Sequence, residues 1–126
     1  MKILSAALTC AIAAVALGGG QASAHHAFSM YDNSKYIPLT GTVKTYSWKN
    51  PHVMIDYLAV GANGEPEPWS VECSSPNIIG RHGWSPSSLK AGDKVAIVVH
   101  PMKDGSKIAL MVQVTTPAGA VLKDKT

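Results

Sequence analysis

From residue 39 onward the chain alternates apolar and polar positions in short stretches, the period of half-buried strands rather than helices. The first stretch, Gly41-Thr42-Val43-Lys44-Thr45-Tyr46-Ser47-Trp48, is rich in β-branched and aromatic residues, which suit a pleated surface. Asn50-Pro51 interrupts it, because proline has no N–H to give to a ladder. Alternation resumes over 52–60, with Val53, Ile55, Tyr57 and Ala59 on one face and His52, Met54, Asp56 and Leu58 on the other. Gly61 to Pro68 reads as a turn-rich loop. A third strand over 69–73 sets Trp69, Val71 and Cys73 on one face and Ser70 and Glu72 on the opposite one.

Asn77 to Gly83 has room for one helical turn, and Val95 to His100 is a nearly unbroken apolar run suited to a buried strand. Ile108 to Val114 returns from it through Met102-Lys103-Asp104-Gly105-Ser106, where Asp-Gly favours the positive φ of a tight hairpin. Val121 to Thr126 is a short end. Five or six strands, with a helical segment between the third and fourth, predict an all-β fold. The expected form is a small closed OB-like (oligonucleotide/oligosaccharide-binding) barrel, in which closure removes exposed edges. A two-sheet sandwich is the alternative, because strand count does not separate the two.

The first 24 residues follow another pattern. Lys2 precedes an apolar run from Ile3 to Leu17, Gly18 to Gly20 break it, and Ala22-Ser23-Ala24 forms an A-x-A cleavage site. This predicts a secretory signal and a periplasmic or secreted protein. The run is shorter than the roughly 20 residues of a membrane span, so no span is expected in the mature chain. Three parts result: a cleaved signal over 1–24, an extended N-terminal arm over 25–38, and one barrel domain over 39–126. Cys10 leaves with the signal, so Cys73 has no intramolecular disulfide partner and reads as a small buried hydrophobe. Charge is only +3 for the whole chain and is dispersed. Without a basic run interleaved with aromatics, nucleic acid is not an expected partner.

Several short elements follow one another in a distinctive order: His25-His26-Ala27-Phe28, Gly41-Thr42-Val43, Trp48-Lys49-Asn50-Pro51-His52-Val53, Trp69-Ser70-Val71-Glu72, Ser75-Pro76, Arg81-His82-Gly83-Trp84, Leu89-Lys90-Ala91-Gly92-Asp93 and His100-Pro101-Met102-Lys103-Asp104-Gly105. In these the chain resembles a small secreted bacterial family catalogued as a domain of unknown function. The resemblance spans essentially the whole mature chain, with Ala27 where serine is more usual. It implies an exported β domain and supplies no activity.

Cleavage after Ala24 would leave His25 with a free α-amino group, whose pKa of about 7.7–8.0 allows deprotonation on binding a strong Lewis acid. Amine, imidazole and a second histidine, His26, suit Cu(II) or Zn(II). His52 and His100 stand at strand boundaries beside Pro51 and Pro101. If their strands paired, the arm could close over both and complete a metal site of His25, His26, His52 and His100. Met54 and Met102, two residues beyond each histidine, would favour Cu(I), although methionine commonly fills cores.

Glu72 is a candidate to orient an imidazole or to pair with Arg81. Trp48 and Trp69 could line a ligand cleft with Trp84, Tyr46 and Tyr57, or fill the core. No catalytic residue is assigned: the chain lacks a nucleophile elbow, a P-loop and a dinucleotide fingerprint. The leading expectation is an exported metal-binding protein, with copper the first choice of metal, acting as carrier or sensor rather than catalyst. The competing one is an OB-like module that binds a small molecule or protein partner through Trp48, Trp69, Glu72 and Arg81. A copper-dependent oxidase braced by the terminal histidine is a third.

Overall fold

The computed structural model describes residues 28–124. The expected signal, its cleavage site and the pair His25-His26 lie outside the described residues. In chain order the strands are β1 (Ile37–Ser47), β2 (Met54–Val60), β3 (Pro66–Glu72), β4 (Lys94–Pro101), β5 (Ile108–Thr115) and β6 (Val121–Lys123). A single helical turn, α1 (Pro76–Ile79), runs into a 3-10 turn at Gly80–His82 between β3 and β4. Neighbours in the sheet run β3-β2-β1-β4-β5-β6, and a parallel pairing of β3 with β5 closes the first five into a barrel. That pairing decides between barrel and sandwich. Among the described residues 37–124 the fold is an all-β OB-like barrel of five strands with one extra strand and one short helix.

One strand makes closure possible. β1 is 11 residues long because it serves two partners, β4 along Ile37–Thr42 and β2 along Gly41–Ser47. Both ladders include Gly41, opposite Ala59 on one side and Val95 on the other. A Cβ there would overlap the carbonyl oxygen of Leu58 and sit 2.8 Å from the Cα of Ala59, so the close approach requires glycine. Lys44 is the extra residue of a bulge against β2, which adds twist as the strand turns the corner.

The alternation over 52–60 appears as expected: Val53, Ile55, Tyr57 and Ala59 are buried in the core with Val71, Ile97, Val99, Met111 and Val114. The buried hydroxyl of Tyr57 donates to the carbonyl of Val95 at 2.7 Å, tying β2 to β4 across the interior. Several boundaries differ from expectation: β1 begins at Ile37, inside the segment expected as the arm, and β2 begins only at Met54. β3 begins at Pro66, inside the segment read as a loop, and Pro66 and Pro68 fit because β5 joins that strand only from Ser70 onward. The C-terminal end forms β6 on the later half of β5, opposite Gln113 to Thr115. Its following residue, Asp124, accepts the backbone N–H of Ser74 at 2.7 Å. No helix among the described residues is long and apolar enough to cross a membrane.

Candidate functional site

His52 closes the loop from β1 to β2, directly after the cis bond Asn50–Pro51. Its neighbour Val53 is fully buried and is clamped to the end of β3 on both sides: Val53 N–H donates to Ser74 and Cys73 N–H donates back to Val53. Alternation then turns His52 outward, together with Met54. Glu72, the last residue of β3, also faces outward and lies opposite Met54. Its Oε1 meets His52 Nδ1, and its Oε2 accepts the hydroxyl of Tyr31 at 2.6 Å. A carboxylate only accepts, so in the neutral imidazole Nδ1 carries the proton and Nε2 keeps its lone pair. The His52 side chain is one-third exposed (33%) while that of Glu72 is 18% exposed. The carboxylate is therefore mostly covered and the ring reaches solvent.

Tyr31 belongs to the arm, which lies across the outside of the barrel where β3 and β4 end and β5 begins. Tyr31 bridges to Met102, Asp32 N–H donates to Pro101 at 2.8 Å, and Lys103 N–H donates to Met30 at 2.9 Å. Lys103 Nζ also reaches the carbonyl of Ser29 at 2.8 Å. Upstream, the Phe28 ring packs tilted against His52, centroids 6.4 Å apart. Downstream, His100 is buried under the arm: its Nδ1 donates to the Lys35 carbonyl at 2.7 Å, and the Tyr36 ring meets it edge-on at 4.7 Å. Burial, reinforced by the Glu72 hydrogen bond and charge, pushes the Tyr31 phenol pKa well up. The phenol thus stays a donor.

The strands carrying His52 and His100 do not pair. β1 separates β2 from β4 on one side of the barrel, and β3 and β5 separate them on the other. Leu110 lies in register between Glu72 and His100, so two strand spacings, about 10 Å, divide those backbones. The strand pairing on which a site shared by His52 and His100 was conditioned is therefore absent. Among the described residues no three His, Cys, Asp or Glu side chains gather as a metal-ligand group. Met102 is buried, with its sulfur accepting the Ser106 hydroxyl at 3.3 Å.

The aromatic cleft is not assembled either. Trp69 is buried, with Nε1 donating to Glu67 at 2.8 Å and Lys107 Nζ 5.0 Å from its ring. Trp84 is buried and donates to the carbonyl of Lys123, while Trp48 packs half-buried beside Tyr46. Arg81 is exposed on the 3-10 turn, and Glu72 engages His52 and Tyr31 instead. Cys73 is buried, and desolvation, then the charges of Asp124 and Glu72, push its thiol pKa up. At the far end of the barrel an open cleft of about 540 Å³ lies between Thr40–Thr42, Lys94–Ala96 and Thr115–Pro117. It contains none of the candidate site residues.

Two members of the cluster, Tyr31 and Phe28, carried no chemical signal in the sequence. Phe28 enters the sequence reading only through the His25-His26-Ala27-Phe28 element, and Tyr31 is marked only by its position six residues after His25. A family model described as a family of unknown function (DUF6152) matches residues 12–111, a span that includes His25, His26, Tyr31, His52, Glu72 and His100. No curated protein and no solved structure matches the chain.

Proposed function

The chain belongs to this family of unknown function, and we propose from the site itself that it is an exported copper-binding protein, a carrier or sensor. The metal is held between the mature N-terminus and His52. His25 supplies its α-amine and imidazole, His26 a further imidazole or amide, and His52 its Nε2. This nitrogen-rich set suits Cu(II), which binds such donors more tightly than other first-row divalent ions. The observation that carries the reading is the environment of one ring. Glu72 holds His52 Nδ1, and Phe28, two residues beyond His26, packs against the same imidazole.

A carboxylate on the far nitrogen is the usual companion of a metal-bound histidine, because it orients the ring and raises its basicity. Reach is sufficient as well. At ~3.3–3.6 Å per residue, His26 and His25 fall within about 7 and 11 Å of Phe28 along the backbone. Topology adds support by analogy: the loops β1–β2 and β4–β5 frame ligand sites in OB barrels. His52 lies on the first, and the arm docks on the second through Met102 and Lys103. His100, held under the arm by Lys35 and Tyr36, secures that docking.

Mature protein beginning at His25 is titrated with Cu(II) beside two variants, one with a glycine ahead of His25 and one with His52→Ala. Both variants should bind at least tenfold more weakly, the lower bound for losing a ligand or its orientation. If His52→Ala binds as tightly as the parent, the metal sits on a solvated tail and the reading fails. If none of the three binds, a partner-binding module without metal takes its place.

A further inference from the structure

Tyr31 spends a buried side chain on a residue that already has a partner. Glu72 could satisfy His52 without it, since one carboxylate oxygen suffices for Nδ1. Yet the phenol comes from a separate segment, 41 residues away in sequence, to occupy the other oxygen at 2.6 Å. Its ring is buried, and its backbone is bridged to Met102. A glutamate at a strand end would otherwise turn about its side-chain bonds and offer either oxygen to solvent. Pinned at Oε2, it can present only Oε1 to the imidazole.

We propose that Tyr31 is a positioning residue of this site: by donating to Glu72 Oε2 it holds Oε1 on His52 Nδ1 and so keeps His52 in the tautomer whose Nε2 is open. The role rests on the metal-binding reading given above and extends it. Tyr31 touches no metal and acts only through Glu72. Because the phenol arrives with the arm, docking of the arm and selection of the tautomer become one event. A solvent-exposed imidazole without such a lock exchanges freely between its two neutral tautomers, and one of them blocks Nε2 with a proton.

The test begins without metal. Long-range proton–nitrogen NMR on the metal-free mature protein, at a pH where the ring is neutral, reads which nitrogen of His52 carries the proton. The parent should show Nδ1 protonated. Tyr31→Phe, which removes only the hydroxyl, should move His52 to a mixture or to the Nε2-protonated form. Lys94→Ala, exposed at the far end of the barrel, should leave His52 unchanged. A parent protein with Nε2 protonated overturns the proposal, as does an unaltered tautomer in folded Tyr31→Phe. Should Tyr31→Phe not fold, the parent spectrum decides together with exchange of the Tyr31 hydroxyl proton. A slowly exchanging signal supports the bond to Glu72, and a proton lost at the solvent rate overturns it.

Copper titration of the same variants then separates the two ideas. Tyr31→Phe should bind about tenfold more weakly, as expected for loss of an outer-shell partner. If the parent binds no copper, the metal reading fails while the tautomer result still stands on its own. If copper binds equally to parent and Tyr31→Phe, the metal reading survives and the role of Tyr31 falls.

Discussion

Gly41→Ala should be among the most damaging single methyl additions this barrel can receive. The backbone φ at Gly41 is not in the left-handed region, so the cost is one of space. The new Cβ would overlap Leu58 O and lie 2.8 and 2.9 Å from Ala59 Cα and Leu58 C. All three are backbone atoms of β2, so no side-chain rotation relieves the clash and the strands must part. Overpacking a core costs about 1–3 kcal/mol. Parting the strands weakens ladder bonds worth ~0.5–1.5 kcal/mol each. Together these give about 3–4 kcal/mol, a large share of the roughly 5–15 kcal/mol that holds a domain of this size.

At ~4–8 °C per kcal/mol, the melting temperature should fall by at least about 12 °C. Gly92→Ala is the matched control. Gly92 has φ +90° and open space within 4 Å of where a Cβ would sit, so it should cost only the left-handed penalty of about 1–2 kcal/mol. Urea unfolding followed by far-ultraviolet circular dichroism gives both values, with the slope m checking that the two states are unchanged. A Gly41→Ala loss below about 1 kcal/mol, or no larger than that of Gly92→Ala, would refute the view that this approach closes the barrel. The consequence for the site is direct, because β1 joins the strand that follows His52 to the strand that carries His100.

Three further outcomes are expected. In alkali, Tyr57 is pushed up to about 12 by burial, and Tyr31 and Tyr46 are raised further, desolvation leading in each case. Their folded pKa values lie above the unfolded value, so their contribution is intact below about pH 10 and is lost as pH rises through 12 and beyond, at ~1.4 kcal/mol per unit per tyrosine. Tyrosinate absorbance from these three should therefore rise together with unfolding, and their titration near pH 10 in folded protein would contradict it. Glu72→Gln puts an amide where one oxygen faces His52 Nδ1, and copper affinity should drop about 10- to 100-fold; a competition titration that finds no loss counts against the orienting role. Native Cys73 should resist alkylation by iodoacetamide and react only in denaturant, since burial keeps its thiol both covered and protonated. Rapid labelling of folded protein would show that the β3 end opens.

What the linear pattern discloses is the facing of each strand, because that depends only on a period of two. Val53, Ile55, Tyr57 and Ala59 are buried as their spacing implies, and Glu72 faces away from Val71 and Cys73 as expected. What it conceals is adjacency. Pro66 and Pro68 argue against a strand when read locally, yet they are acceptable on a strand whose second edge is still unpaired. The parallel contact of β3 with β5 brings Glu72 opposite Leu110, and no local feature of either segment announces it. Tyr31 is a similar case: its partner is fixed by where the arm crosses the barrel, not by the residues around it.

The two boundary histidines show why residue type and spacing stop short of role. His52 and His100 each flank a proline at a strand boundary, and on paper they are equivalent. In the fold their Nδ1 atoms are both engaged, but with opposite consequences. His100 is buried and gives its proton to a carbonyl of the arm, so its bond holds the arm down. His52 gives its proton to a carboxylate and leaves the rest of the ring in partial contact with solvent. Backbone carbonyls serve structure equally well at many places, whereas a covered carboxylate beside a solvent-facing imidazole orients the ring for a ligand on its open nitrogen. It follows that His100→Asn, which can keep a donor to Lys35, should disturb the binding site less than His52→Asn. The copper titration ranks the two, and the reverse order would assign the metal to His100 instead.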